Sequence, residues 1–176
     1  MKQWETLELL KHSRHDWLNK IQLIKGYLDL NQLEEVKRVL DEVLIETRNF
    51  THLDRLNLPM FATLLYTHNW SSTSFFLDFE VEEGISISID DQLLALWTSS
   101  FFSSLEKCIQ PFSTNHLSIT IGSCDEGKCF YFDYSGTIVD KEQLISFCKT
   151  SELKDKLNVL DINDREFTIL LIIHEI

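Results

Sequence analysis

The chain lacks any window of 18 uninterrupted apolar residues, so no membrane span is expected. It also lacks a basic-then-apolar leader at its N-terminus, and no export signal is expected. Only five glycines and two prolines occur in 176 residues, and no repeat, low-complexity tract or long disordered linker interrupts the sequence. The four cysteines, Cys108, Cys124, Cys129 and Cys148, show neither CxxC spacing nor the density of a disulfide scaffold. Reduced, structural thiols in a cytoplasmic protein are the plain expectation. Cys124 and Cys129 flank a turn and are placed to approach each other, but no companion ligands make a metal site. His12, His52, His68, His116 and His174 likewise show no ligand spacing. Basic charge is short overall: the net charge of -12 lacks the footprint of a nucleic-acid binder.

What is present is an ordinary globular composition, 44% apolar and 25% charged, long enough for one domain or two small ones. Residues 12–30 read HSRHDWLNKIQLIKGYLDL. Around them Leu7, Leu10, Arg14, Trp17, Ile21, Ile24 and Leu28 recur at alternating steps of three and four, the stripe of an amphipathic helix. On this register Leu7, Arg14, Ile21 and Leu28 are a positions, Leu10, Trp17 and Ile24 are d positions, and Trp17 is core. His15 falls at b, beside the packed seam with its ring in water. Lys11, Arg14, Lys20 and Lys25 face Asp16 alone, so His15 lies in the basic patch of an acidic protein. Solvation would explain such a patch by itself; next to a histidine it suggests docking onto something acidic or phosphorylated.

The first helix is expected from about Trp4 to Leu28 or Leu30, with a turn at Asp29-Leu30-Asn31. A second carries Leu33, Val36, Leu40, Val43, Thr47 and Phe50 at the same spacing. Two helices cover each other on one side only, so the hairpin is expected to dimerise into a four-helix bundle. The chain divides near Pro59, giving domains 1–56 and 57–176. The second reads α+β. It has a helix from Pro59 to about Trp70, strands around Phe75–Val81 and Ile85–Ile89, and a helix from Asp90 or Asp91 to about Ile109. A hairpin over Leu117–Tyr134, a helix over Lys141–Cys148 and a strand over Phe167–Ile173 follow.

The run Arg14-His15-Asp16-Trp17, followed by Asn19-Lys20, Gln22 and Ile24-Lys25-Gly26, resembles the phosphoacceptor box of sensor histidine kinases. Within that class it is most similar to the sporulation initiation phosphotransferase family of bacilli. Weaker likeness continues through Asn69-Trp70 and Asn115-His116-Leu117. The resemblance implies a dimeric helical hairpin followed by an α/β sandwich like a degenerate kinase ATP-binding domain. A working kinase domain carries an Asn-bearing helix, an Asp-x-Gly-x-Gly turn and a later Gly-rich lid. Here Lys107 stands near the asparagine's place, Asp133-Tyr134-Ser135-Gly136-Thr137 is one residue out of pattern, and no glycine follows Gly136. Without such residues backbone N–H groups cannot close around phosphates, so autophosphorylation from ATP is not expected.

By the same resemblance, His15 accepts a phosphoryl group from the aspartate of a single-domain response regulator and passes it to the receiver aspartate of a transcription factor. Imidazole suits this two-way step, being largely neutral and nucleophilic near pH 7. Asp16 and Asn19 would orient the ring or the partner. Lys11, Arg14, Leu18, Lys20, Gln22 and Lys25 would form the docking strip, with Arg14 reaching toward phosphate. Asp16 and Lys20 could equally be only an i, i+4 ion pair. No cofactor is expected in this chain, and Mg2+ is expected in the partner regulator. An ATP-dependent kinase core and a non-catalytic dimeric scaffold are the alternatives.

Overall fold

Turn chemistry sets the first two elements. In a computed structural model, which describes residues 6–71 and 74–174, α1 spans Thr6–Asp29 and α2 spans Leu33–Arg55. The expected start at Trp4 lies outside the described residues. Asn31 takes φ 56, a left-handed conformation that asparagine tolerates. There its N–H donates to the Leu28 carbonyl while Gln32 N–H donates to the Tyr27 carbonyl, closing α1 with paired end bonds. No described helix is long and apolar enough to cross a membrane.

The chain forms two compact units, Met1–Thr51 and His52–Ile176. In the first, α1 turns Leu9, Ser13, Asp16, Lys20, Ile24 and Tyr27, all half-buried, toward α2, whose Val36 and Val39 are buried. No described side chain of α1 is fully buried. Most of the seven-residue stripe lies open: Leu7, Leu10, Trp17, Ile21 and Leu28 are each at least half exposed within one chain. Trp17, expected as core, is 50% exposed because one hairpin buries one side of each helix.

The second unit packs helices against a five-stranded sheet. Its helices are α3 (Pro59–His68), α4 (Asp91–Cys108) and α5 (Lys141–Thr150). Its strands are β1 (Phe76–Val81), β2 (His116–Cys124), β3 (Gly127–Ser135), β4 (Leu157–Ile162) and β5 (Glu166–Ile173), in the order β1-β2-β3-β5-β4. β1 runs parallel to β2; the other pairs are antiparallel, with Ile119 opposite Phe132 and Phe132 opposite Ile169. Alternate residues of β2, β3 and β5 therefore point into one core. There Phe101 of α4 meets Trp97, Phe132, Phe147 and Phe167, with ring centroids 5.3–6.1 Å apart. Burying a ring of this size contributes about 1.5–3 kcal/mol.

Carboxylates start the helices. Asp90 accepts from Leu93 N–H and Asp140 from Gln143 N–H. Asp91 reaches across to accept from Met60 and Phe61 N–H at 2.8 and 2.9 Å, capping α3, whose own preceding residue Leu58 has no side-chain acceptor.

Ile85–Ile89, expected as a strand, joins no ladder; Ile87 is buried and Ile85 and Ile89 pack on the core. The border of β1 is already occupied. Asn69 donates to the Leu77 carbonyl at 2.6 Å and accepts from Leu77 N–H at 2.9 Å, and His52 Nδ1 lies 2.9 Å from the Val81 carbonyl. β4 escaped the sequence reading because four of its six residues are exposed and a register shift between Val159 and Asp161 breaks its alternation.

All four cysteines are unbridged. Burial pushes the Cys148 thiol up to about 11, and burial with the neighbouring Cys124 thiol does the same for Cys129. Both are protonated at neutral pH and unreactive.

Candidate functional site

The site is built on one face of α1. His15 is 73% exposed, and its Nδ1 lies 3.1 Å from the Asn19 side-chain nitrogen and 3.8 Å from Asp16 Oδ1. Helical spacing makes both neighbours: Asn19 is one turn on, and Asp16 is the next residue. The ring is thus gripped at Nδ1, while Nε2, its far nitrogen, is directed away from that grip.

Which tautomer results depends on the amide. With its nitrogen toward the ring, Asn19 donates to Nδ1 and the imidazole proton sits on Nε2. Turned over, Asn19 offers Oδ1, accepts the Nδ1 proton and leaves a lone pair on Nε2. Asp16, at 3.8 Å, provides a carboxylate on the same side as Nδ1 for any positive charge that the ring acquires. Only the turned-over amide leaves the Nε2 lone pair free on the exposed side of the helix.

Lys11, Leu18, Gln22 and Lys25 are all exposed at alternating steps of four and three through His15, and Arg14 is exposed beside it. They form one strip with the histidine. Lys20 leaves that strip. Its ammonium makes an ion pair with Glu46 of α2 and lies 5.8 Å from the centroid of the Trp17 ring. The sequence reading missed Glu46, because a hairpin folded at Asn31 leaves Asp41, Glu42 and Glu46 all eligible to face Lys20. Only the helix register selects among them.

In the second unit, the segment compared with the kinase glycine turn is tied up in bonds within the chain. Asp133 accepts from Thr168 Oγ1 at 2.7 Å. Asn115 is buried and spends its whole amide: it donates to the Ser74 and Gln110 carbonyls and accepts from Tyr134 Oη and Thr137 N–H. Gly136 passes so closely that a Cβ would strike Tyr134 Oη and Asn115 Oδ1. Lys107 borders an open groove of about 350 Å³ between α4 and α5, with Ser99, Ser100, Ser103, Ser104, Gln143 and Phe147. Among the described residues no cluster of His, Cys, Asp and Glu is arranged to hold a metal ion.

Two family profiles together span nearly the whole sequence. The α-helical domain of SpoOB-type sensor kinases matches residues 1–56, and the C-terminal domain of sporulation initiation phospho-transferase B matches residues 57–174. Sporulation initiation phosphotransferase B of Bacillus subtilis (strain 168) is 34% identical over 139 residues, covering 77% of this chain and 72% of that protein. Among solved structures, the catalytic domain of histidine kinase ThkA superposes with a TM-score of 0.43 at 11% identity, over 68% of this chain and 91% of that one. Acinetobacter baumannii histidine kinase AdeS gives 0.42 at 9% identity, over 92% of this chain and 98% of that one. A bacterial phosphotransferase gives 0.37 at 12% identity, over 96% and 98%.

Proposed function

The chain belongs to the SpoOB-type family of sporulation initiation phosphotransferases, and on that premise we propose that His15 carries the phosphoryl group between two receiver-domain aspartates. The observation that carries this reading is the imidazole itself: exposed, held at Nδ1 by Asn19, and set in a strip of exposed cations.

In the accepting step, the Nε2 lone pair forms the N–P bond as the P–O bond to the donor aspartate breaks, returning a carboxylate to the donor. The positive charge on the ring is met on the Nδ1 side, where the Asn19 amide, once turned over to present Oδ1, accepts from the Nδ1 proton, and where the Asp16 carboxylate lies 3.8 Å away. The reverse attack by an acceptor aspartate breaks N–P and restores neutral imidazole. Transfer of this kind asks for in-line placement and neutralisation of the equatorial oxygens. Arg14, Lys11 and Lys25 bring cations from this side, while the receiver's acidic pocket and its Mg2+ supply the rest. Leu18 and Gln22 complete the docking strip. The donor is a single-domain response regulator, and the acceptor is the receiver of a transcription factor.

The site is completed as a homodimer. The open stripe of Leu7, Leu10, Trp17, Ile21 and Leu28 is the surface a second hairpin would cover, closing a four-helix bundle with His15 at its flank. The chain takes its phosphoryl group from a partner and not from ATP. Support comes from Gly136 packed against Asn115, from Lys107 in place of the asparagine, and from the lack of any later glycine.

The test is incubation with a receiver domain phosphorylated on its aspartate. Label passes to the wild-type chain, whereas His15→Ala takes none and keeps its oligomeric state. Label on His15→Ala, or label acquired from ATP with no partner present, overturns the reading.

A further inference from the structure

The hairpin seam changes character along its length. Near the turn it is apolar, with Ile24, Tyr27, Val36 and Val39 wholly or partly buried. At the level of the histidine it is largely polar: Asp16 and Lys20 on α1, Glu46 and Asn49 on α2, all half-buried, with Val43 as the half-buried apolar neighbour. Within one hairpin, apolar packing therefore holds the rotation of α1 about its own axis only weakly at that level. The Lys20–Glu46 ion pair links the two helices there, with side chains 31% and 43% exposed. The same ammonium rests over the Trp17 ring, which belongs to the open stripe.

From this we infer that Glu46 is a positioning residue for phosphoryl transfer, holding Lys20 so that α1 presents His15 at one fixed angle. The inference rests on the reading of His15 as the phosphoryl carrier. Lys20 and His15 are five residues apart, about 140° around the helix, so the pair anchors the side opposite the nucleophile. A turn of about 10° moves a side chain on the helix surface by about 1 Å. Misplacement on that scale costs roughly 100-fold in a reaction that depends on near-attack geometry. The ammonium acts inward, through Glu46, and the competing assignment is that it meets the partner directly.

The full-length chain is assayed with a receiver domain charged by acetyl phosphate, measuring the transfer rate at saturating receiver and the receiver concentration giving half that rate. Glu46→Gln and Lys20→Gln slow the saturated rate by about 10- to 100-fold and leave the half-saturating concentration within about threefold. The reversed pair, Lys20→Glu with Glu46→Lys, recovers most of the loss, since either orientation ties the two helices. Circular dichroism shows that each variant keeps its helix content. A drop below about fivefold in Glu46→Gln, or a reversed pair as slow as Lys20→Gln, overturns the inference. So does a loss confined to the half-saturating concentration. Failure of the underlying reading looks different, because His15→Ala would then still accept label.

Discussion

The Asn19 side-chain nitrogen lies 3.1 Å from His15 Nδ1, one turn along the same helix. This contact couples the orientation of one amide to the location of the imidazole proton, and so to whether Nε2 holds a lone pair.

Asn19→Ala removes the Nδ1 partner and is expected to slow transfer about tenfold, the worth of one well-placed hydrogen bond. Asn19→Asp offers Nδ1 the acceptor that the turned-over amide would present and is expected to stay within about threefold of wild type. Rapid-quench transfer from a phosphorylated receiver measures both. Equal rates in all three proteins would show that the contact has no part in the chemistry.

Ile21→Glu places a charge in the middle of the exposed stripe of α1, where Ile21 is 56% exposed within one chain. We expect sedimentation equilibrium to find a dimer for wild type and a monomer for the variant, with α-helix content falling at most slightly. A dimeric variant would move the interface elsewhere.

His68 sits between the rings of Phe75 and Phe102, with centroids 4.5 and 4.8 Å away, and its Nε2 is buried without a partner. Burial lowers its pKa to about 4, against a weaker opposing effect from a Phe75 backbone hydrogen bond. Between the ordinary histidine value and that one, the unfolded chain takes up a proton that the native state refuses. Stability is therefore lost as pH falls through this window. The His68 share is roughly 2–3 kcal/mol between pH 7 and 4.5. Urea titrations of His68→Phe should show a smaller loss over the same interval by about that amount. Parallel losses would refute the assignment.

Gly136→Ala should destabilise the second unit by roughly 2–4 kcal/mol, since the added methyl displaces either Tyr134 Oη or the fully bonded Asn115 amide. Thermal unfolding reads this directly. A neutral result would mean that the end of β3 and the residues after it have room to shift.

The helices were legible in the sequence wherever periodicity and turn residues agreed. Asn31 and Pro59 bounded α1, α2 and α3, and Asp90 marked the start of α4. The hairpin β2–β3 was legible because its alternation survives on both sides of Gly127. Ile85–Ile89 has the same alternation, yet its partner edge is taken by the side chains of Asn69 and His52, a three-dimensional fact that no local pattern carries. The expected seam of α1 was half right in the same sense. The stripe exists, but a single chain half-buries the neighbouring row from Leu9 to Tyr27, in which Lys20 turns inward to Glu46. The histidine strip itself needed only helical spacing, and its five exposed members on α1 lie as that spacing requires.

The amide of Asn69 grips both backbone groups of Leu77, donor to carbonyl and carbonyl to donor. Hydrolysis of that one amide to a carboxylate, the slow deamidation of ageing protein, would keep half of the grip and turn the other half into repulsion. A single chemical lesion would then bare a ribbon of main chain to other molecules, making shelf life depend on a residue far from the chemistry.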